Sequence, residues 1–203
     1  MTIDRLRPYA DLLIAPLVSG FDRLGFSPDA VSILAFLVAV VAGGAFVAGG
    51  RVGPNWYLLA GVLVAFNGWL DVVDGELARE QGVESAAGDL LDHVLDRYAD
   101  VAIVVGIAAG IAAYDLGIAA ITGVLLTSYL GTQTQAVGLD RTYGGLLGRA
   151  DRLAMAGAAA VLEWLVDVQA FGLGVVGWLL VVYAVVGHFT AVQRFWMAWR
   201  DLS

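Results

Sequence analysis

The sequence predicts an all-α integral membrane protein with six transmembrane helices, preceded by an N-terminal amphipathic helix at the membrane interface. Two observations carry this prediction. The chain of 203 residues is 60% hydrophobic and has a mean hydropathy of +0.80, which is too apolar for a soluble domain. Its apolar residues also fall into runs of about the length that crosses a bilayer. We therefore expect a single membrane domain over residues 1–203, without an internal repeat.

The N-terminal segment combines charged residues with apolar residues at a loosely helical spacing. Its first 24 residues include Asp4, Arg5 and Asp11 and lack the apolar core that is typical of a cleavable signal peptide. The apolar positions are Ile3, Leu6, Leu13, Leu17, Phe21 and Leu24. We interpret the segment as an interfacial amphipathic helix that is broken near Pro16. The alternative is a frayed polar terminus.

Six apolar runs of approximately spanning length follow the N-terminal segment. They cover residues 31–50, 55–73, 86–113, 116–138, 152–166 and 171–192. Six spans place both termini on the same side of the membrane. Arginines concentrate in the termini and in the loops after the second and fourth runs, whereas Arg51 lies in a loop on the opposite side. The positive-inside rule therefore predicts a multi-pass protein of the cell membrane with both termini in the cytoplasm.

Four aspartates lie where the second apolar run ends and the third begins. Asp71 and Asp74 are three residues apart, and Asp92 and Asp96 are four apart, so each pair shares one face of its helix. The intervening residues let the third helix return antiparallel, which brings the carboxylates together at the cytoplasmic ends of both helices. A carboxylate at membrane depth costs roughly 2.5–3.5 kcal/mol on insertion scales, and such acids are functional by default.

The four carboxylates predict a site for hard divalent cations, which prefer oxygen ligands. Mutual repulsion would disfavour four adjacent charges, and cations shared between them relieve it. We therefore expect Mg²⁺ or Mn²⁺, as two ions. A zinc or thiolate site is not expected, because the chain has no cysteine and the positions of His93 and His188 match no zinc pattern. We interpret Asp89 and Asp100 as helix-capping or solvated charges.

The segment 71–96 resembles the signature of the CDP-alcohol phosphotransferase family at every fixed position. It reads Asp71-x2-Asp74-Gly75-x2-Ala78-Arg79-x8-Gly88-x3-Asp92-x3-Asp96. The resemblance extends over most of the chain and implies an enzyme of phospholipid synthesis. Such an enzyme transfers a phosphatidyl or archaetidyl group from a CDP-lipid, CDP-diacylglycerol or CDP-archaeol, to a polar alcohol and releases CMP.

The resemblance also implies roles for individual residues. Asp71, Asp74 and Asp92 would bind metal, and Asp96 would both bind metal and take the acceptor's proton as the general base. The residues implied in binding the CDP-lipid are Asp29, Ser32, Gly75, Ala78, Arg79, Ser85 and Gly88. Asp29 and Ser32 belong to an Asp-Ala-Val-Ser element before the first run. They also suit helix capping after Pro28, and the two roles are compatible.

Three arginines resemble the residues that hold an acceptor phosphate in relatives that use phosphorylated polyols. Arg149 and Arg152 follow the fourth run, and Arg194 follows the last, so the resemblance implies inositol phosphate as the acceptor. The chain departs from that pattern at Gly131, Gln133 and Gln135, where these relatives carry basic residues. The loss of these positive charges weakens the case for a phosphorylated acceptor, and the glutamines could hydrogen-bond polyol hydroxyls instead. Glycerol phosphate is the alternative acceptor within the family, and positive-inside charge is the alternative explanation for Arg149 and Arg152.

A divalent-cation transporter is the alternative from another class of protein. The residues Gly75, Ala78, Arg79 and Gly88 speak against it, because they serve a nucleotide and have no purpose in an ion path. The acids also lie at the cytoplasmic ends of helices rather than near the middle of the membrane. Besides the membrane and the two substrates, we expect a homodimer and no nucleic-acid partner.

The third run contains a GxxxG pair, Gly106 and Gly110. Two small residues at this spacing permit close contact between helices. Because glycine is frequent in this chain, we interpret the pair as packing within one molecule rather than as the seam of a dimer.

Overall fold

The structure, a computed structural model, describes residues 15–16, 18–140 and 146–203. Its helices are α1 (Pro28–Arg51), α2 (Asn55–Gln81), α3 (Ala86–Gly110), α4 (Tyr114–Ala136), α5 (Arg149–Leu165) and α6 (Val175–Leu202). Within these residues the only β-structure is an isolated bridge between Ala170 and Leu173. The all-α class expected from the sequence is confirmed.

Each predicted apolar run corresponds to one helix, but several helices continue past the apolar residues. The second apolar run ends at residue 73, but α2 continues to Gln81. The helix stops at Gly82, which has a left-handed φ of 64°. α6 likewise continues to Leu202. Hydropathy marks only the part of a helix that suits the membrane, whereas the backbone stays helical until a capping residue ends it.

Four of the helices, α1, α2, α4 and α6, are long and apolar enough to cross a membrane. α5 has only 17 residues, and α3 carries charged residues from Asp89 as far as Asp100. Several apolar helices thus identify a membrane protein, while the six spans stay a prediction.

The predicted amphipathic helix lies mostly outside the described residues. Residues 18–23 are helical, and Val18 packs into a cluster of buried side chains from α1 and α2. That cluster contains Val31, Ala35, Leu70, Val73 and Leu77. The interfacial position of this helix stays a prediction.

The helices pack as a closed ring in the order α1, α2, α5, α6, α4 and α3, and α3 returns to α1. This order places α5 directly beside α2, although the two helices are distant in sequence. Large side chains such as Phe46, Ile107, Leu180 and Tyr183 fill the centre and are almost fully buried. The ring holds α1, α2, α3 and α5 together at the end that carries the aspartates.

Glycines set the distance between α1 and α3. A Cβ on Gly43 would lie 2.5 Å from the Ala102 carbonyl oxygen, and a Cβ on Gly110 would lie 2.6 Å from that of Phe46. A Cβ on Gly106 would collide with the backbone of Gly43. The GxxxG pair therefore packs against α1 of the same chain, in agreement with the interpretation from the sequence.

Candidate active site

Three of the four predicted aspartates converge at one end of the ring. Asp71 and Asp74 lie in the second half of α2, and Asp92 lies in the second turn of α3. One carboxylate oxygen from each lies within 4.8 Å of the others. We call these residues the carboxylate triad. Three converging carboxylates form a ligand set that suits a hard divalent cation.

Asp74 is oriented from the neighbouring helix. It is 5% exposed, and the Ser32 hydroxyl of α1 donates to its Oδ2 at 2.6 Å. This hydrogen bond fixes the orientation of the Asp74 carboxylate through Oδ2, and its Oδ1 does not take part in the bond. Ser32, which was expected to contact the nucleotide, therefore also positions a member of the triad.

Asp96 lies one turn after Asp92 and is held by two arginines. Its Oδ1 is 2.6 Å from Nη2 of Arg149, and its Oδ2 is 3.6 Å from Nη2 of Arg97. Nη1 of Arg149 also pairs with Asp71. Arg149 therefore links Asp96 to the triad and carries positive charge into the group of acids.

A polar cavity of about 440 Å³ opens on one side of the triad. Asp74 and Asp92 lie on its wall. All of the residues expected to bind the CDP-lipid also line it: Asp29, Ser32, Gly75, Ala78, Arg79, Ser85 and Gly88. The structure thus brings together residues from α1, from α2 and from the start of α3, around a space next to the triad.

Local hydrogen bonds explain how the wall of this cavity is built. Ser85 is the N-cap of α3, and its Oγ accepts from the Gly88 backbone N–H at 3.0 Å. A Cβ on Gly88 would lie 3.3 Å from Ser85 Oγ and 3.4 Å from Asp29 Oδ1, so Gly88 lies close to both side chains. The cap of α1 is Ser27, whose Oγ accepts from the Ala30 N–H at 3.2 Å. The capping role considered for Asp29 and Ser32 therefore belongs to Ser27.

An apolar groove of about 1100 Å³ lies between α2 and α5 on the other side of the triad. Its inner end is lined by polar residues: Asp71, Asp92, His93, Asp96 and Arg149. The rest of the wall is small or aliphatic, with Gly61, Gly68 and Gly157 among its members. Asp92 lines both spaces, so the carboxylates stand where the polar cavity meets the groove.

The three arginines expected at the acceptor phosphate have different surroundings. Arg149 lines the inner end of the groove. Arg152 is 3% exposed, and its Nη2 donates to Asp100 Oδ2 at 2.6 Å. Arg194 is 7% exposed, and its Nη1 donates to the Thr127 carbonyl oxygen at 2.6 Å. Of the three, Arg149 is the one that borders the groove beside the acids.

Asp100 is not the capping or solvated charge expected from the sequence. It is 5% exposed, pairs with Arg152, and lies 3.6 Å from Nε of Arg97. A buried carboxylate is stable only with such partners. Its spacing of four residues from Asp96 was the available signal, because it places both acids on one face of α3.

The two histidines have local contacts. His93 Nδ1 lies 2.7 Å from the Asp89 carbonyl oxygen, and His188 Nδ1 lies 2.7 Å from that of Ala184. Both contacts stay within one helix turn. His188 also reaches α4, where its Nε2 lies 3.5 Å from the Thr122 hydroxyl, and His93 borders the groove.

The sequence of this chain matches a known family and several characterised proteins. The family model for CDP-alcohol phosphatidyltransferase matches residues 26–146. The archaetidylinositol phosphate synthase of Methanothermobacter thermautotrophicus is 28% identical, over 99% of this chain and 96% of that protein. The phosphatidylinositol phosphate synthase of Mycobacteroides abscessus is 32% identical, over 88% of this chain and 80% of that protein.

Solved structures show the same fold. The phosphatidylinositol phosphate synthase of Mycobacterium tuberculosis, in complex with manganese and citrate, has a TM-score of 0.77 and 28% identity, over 91% of this chain and 88% of that one. The same synthase with CDP-DAG bound has a TM-score of 0.77 and 27% identity, over 92% of this chain and 93% of that one.

Proposed function

This chain belongs to the CDP-alcohol phosphatidyltransferase family, and we propose that its acceptor is inositol phosphate. The enzyme transfers a phosphatidyl or archaetidyl group from a CDP-lipid and releases CMP. One observation carries the assignment of the donor: the carboxylate triad stands between a polar cavity and an apolar groove. A CDP-lipid has the same two parts, a polar nucleotide and apolar tails, and they join at the diphosphate.

We propose that the nucleotide occupies the polar cavity. Gly75, Ala78 and Gly88 expose helix backbone there, which lets a flat cytosine approach closely. Arg79 and Ser85 supply polar groups at the rim, and Arg79 already pairs with Glu76 at 2.5 Å. In this position the diphosphate lies against the triad, and the lipid tails extend into the groove between α2 and α5.

The residues at the triad fit a divalent cation, and a related synthase has been solved with manganese. Asp71, Asp74 and Asp92 would hold it, and Asp96 completes the ligands proposed for two ions of Mg²⁺ or Mn²⁺. When bound, such ions neutralise phosphoryl oxygens and stabilise the leaving group. Ser32 contributes by holding Asp74 in one orientation.

Asp96 is the proposed general base. It borders the groove next to the triad, so an acceptor hydroxyl that approaches the diphosphate comes within its reach. The carboxylate would take the hydroxyl proton as the oxygen attacks phosphorus and the bond to CMP breaks. Arg149, whose two terminal nitrogens pair with Asp71 and Asp96, lines the groove beside these acids and is the residue proposed to hold the acceptor's own phosphate.

We expect Arg149→Gln to raise the KM for inositol phosphate by about one to two decades while the KM for the CDP-lipid barely changes. A charge-assisted hydrogen bond contributes about 1.5–3 kcal/mol, and 1.4 kcal/mol corresponds to about a tenfold change. Arg152→Ala and Arg194→Ala are also expected to weaken use of inositol phosphate selectively. Both would also lower thermal stability, because each guanidinium is buried against a partner.

The measurement is CMP release by the purified protein with CDP-diacylglycerol or CDP-archaeol as donor. Inositol 1-phosphate, glycerol phosphate, free inositol and serine are compared as acceptors. Arg200→Gln is the matched control, because Arg200 is an exposed arginine on the same helix as Arg194. If glycerol phosphate were the best acceptor, it would replace inositol phosphate as the proposed substrate. If serine or free inositol were best, the arginines would not bind an acceptor phosphate.

We also propose that residues 1–203 form one membrane domain with six spans and that both termini and the active site face the cytoplasm. The chain contains no cysteine, so a single cysteine introduced by substitution reports on which side of the membrane its position lies. A membrane-impermeant maleimide is expected to label Gly53→Cys in intact cells and Ser203→Cys only after permeabilisation. Labelling of both from the same side would contradict this topology.

The homodimer stays a prediction, which native mass spectrometry of the purified protein tests.

A further inference from the structure

Asn67 has an unpaired oxygen next to the candidate active site. It lies one turn before Asp71 on α2 and is 1% exposed. Its Nδ2 donates to the Ala35 carbonyl oxygen of α1 at 2.8 Å, which fixes the orientation of the amide, because the reversed amide would set two oxygens against each other. Among the described residues, nothing donates to its Oδ1. A buried acceptor without a donor is unfavourable, so a donor is expected at this position.

Arg149 has an unpaired donor on the same side of the molecule. Its two terminal nitrogens pair with Asp71 and Asp96. Its Nε is buried and has no hydrogen-bond partner in the described part of the chain. One unpaired acceptor and one unpaired donor therefore belong to two residues that border the acids.

Both residues line the same small cavity, which has a volume of about 10 Å³. The four aspartates and Ser32 also line it, together with the apolar residues Ala35, Phe36, Leu95 and Ala99. A cavity of roughly 10–15 Å³ holds one water, provided that the water finds two to four polar partners. A water here can accept from Arg149 Nε, donate to Asn67 Oδ1, and donate its second proton to a carboxylate.

We propose that one buried water bridges Arg149 Nε and Asn67 Oδ1, and that Asn67 is thereby a positioning residue for Arg149. A hydrogen bond at Nε restricts rotation about the Cδ–Nε bond, because Nε lies in the plane of the guanidinium. The two terminal nitrogens are then presented in a fixed direction. Asn67 in turn is anchored to α1 through Ala35, so the bridge connects α1, α2 and α5. The consequence for the acceptor rests on the proposed function of Arg149.

A structure of the wild-type protein at a resolution that shows ordered water tests the bridge itself. Density for a water within hydrogen-bond distance of both Arg149 Nε and Asn67 Oδ1 is the expected result. Absence of that water, with both atoms well defined, would overturn the inference. This result does not depend on the acceptor, so it distinguishes failure of the bridge from failure of the proposed function.

The kinetic test compares Asn67→Leu with Arg51→Met. Leucine has nearly the size of asparagine but offers the water no acceptor. Arg51→Met removes a different side-chain hydrogen bond between helices, from Arg51 at the far end of α1 to the Ala109 carbonyl oxygen of α3. Asn67→Leu is expected to raise the KM for inositol phosphate about two- to tenfold and to leave the KM for the CDP-lipid unchanged.

Arg51→Met is expected to leave both KM values unchanged at a temperature below its melting point. An unchanged acceptor KM in Asn67→Leu, or an equal rise in both variants, would assign Asn67 a merely structural role. If Asn67→Leu does not fold, the wild-type structure still decides whether the water is present.

Discussion

Chelation of divalent cations is expected to abolish CMP release by the purified protein, and added Mg²⁺ or Mn²⁺ is expected to restore it. The carboxylate oxygens of Asp71, Asp74 and Asp92 lie within 4.8 Å of one another. Without a cation, these carboxylates would repel the diphosphate of the donor as well as each other. Hard oxygen ligands favour Mg²⁺ or Mn²⁺ over softer metals.

The experiment has a readout that is independent of activity. Binding of Mn²⁺, followed by electron paramagnetic resonance, should weaken in the Asn variant of each triad residue. Asp115→Asn is the control, because Asp115 is an exposed acid in the first turn of α4. Full activity in excess chelator would exclude a metal-dependent reaction, and unchanged Mn²⁺ binding in the triad variants would place the ion elsewhere.

Asp96→Asn is expected to lower turnover by about 10²–10⁴-fold, which is the usual contribution of a positioned general base. Asparagine keeps the size of the side chain and an oxygen that can accept from Arg149, but it cannot take a proton at neutral pH. The neighbouring triad stays intact, so binding of the CDP-lipid should change little. Turnover and donor binding are measured separately, with a non-reacting CDP-lipid analogue for the second.

Two outcomes would revise the role of Asp96. Turnover close to that of the wild type would exclude it as the base. Loss of donor binding together with turnover would make it a metal ligand or a structural partner of Arg149 instead. Asp115→Asn again serves as the control for a change of charge remote from the site.

Much of the donor site was accessible to prediction because its residues are close in sequence. The triad follows from helical spacing within α2 and α3 and from the short turn between them. The two helices do not pack side by side as expected, because α1 lies between them in the ring. Gly75, Ala78 and Gly88 belong to the same stretch of chain. The residues expected to bind the CDP-lipid line one cavity for this reason, with Asp29 and Ser32 added by the packing of α1 on α2.

The environment of the arginines was not accessible in the same way. Arg152 and Asp100 are separated by 52 residues, and Arg194 and Thr127 by 67. No periodicity in the sequence indicates that these residues meet. The expectation that Arg149, Arg152 and Arg194 all bind the acceptor phosphate came from the resemblance and stays a prediction, whereas the structure shows that Arg149 borders the groove and that the other two are buried against partners.

The sequence by itself determined the all-α class, the apolar helices, the two pairs of aspartates and the family, because hydropathy and helical spacing depend on residues that are neighbours in the chain. Only the tertiary structure decided that α5 lies against α2, that Arg149 joins Asp71 to Asp96, and that Asp100 is a buried partner of Arg152. The physical reason is that these contacts follow from the way six helices fill one ring. Each buried charge must then find an opposite charge or a hydrogen-bond partner on whichever helix the packing places beside it.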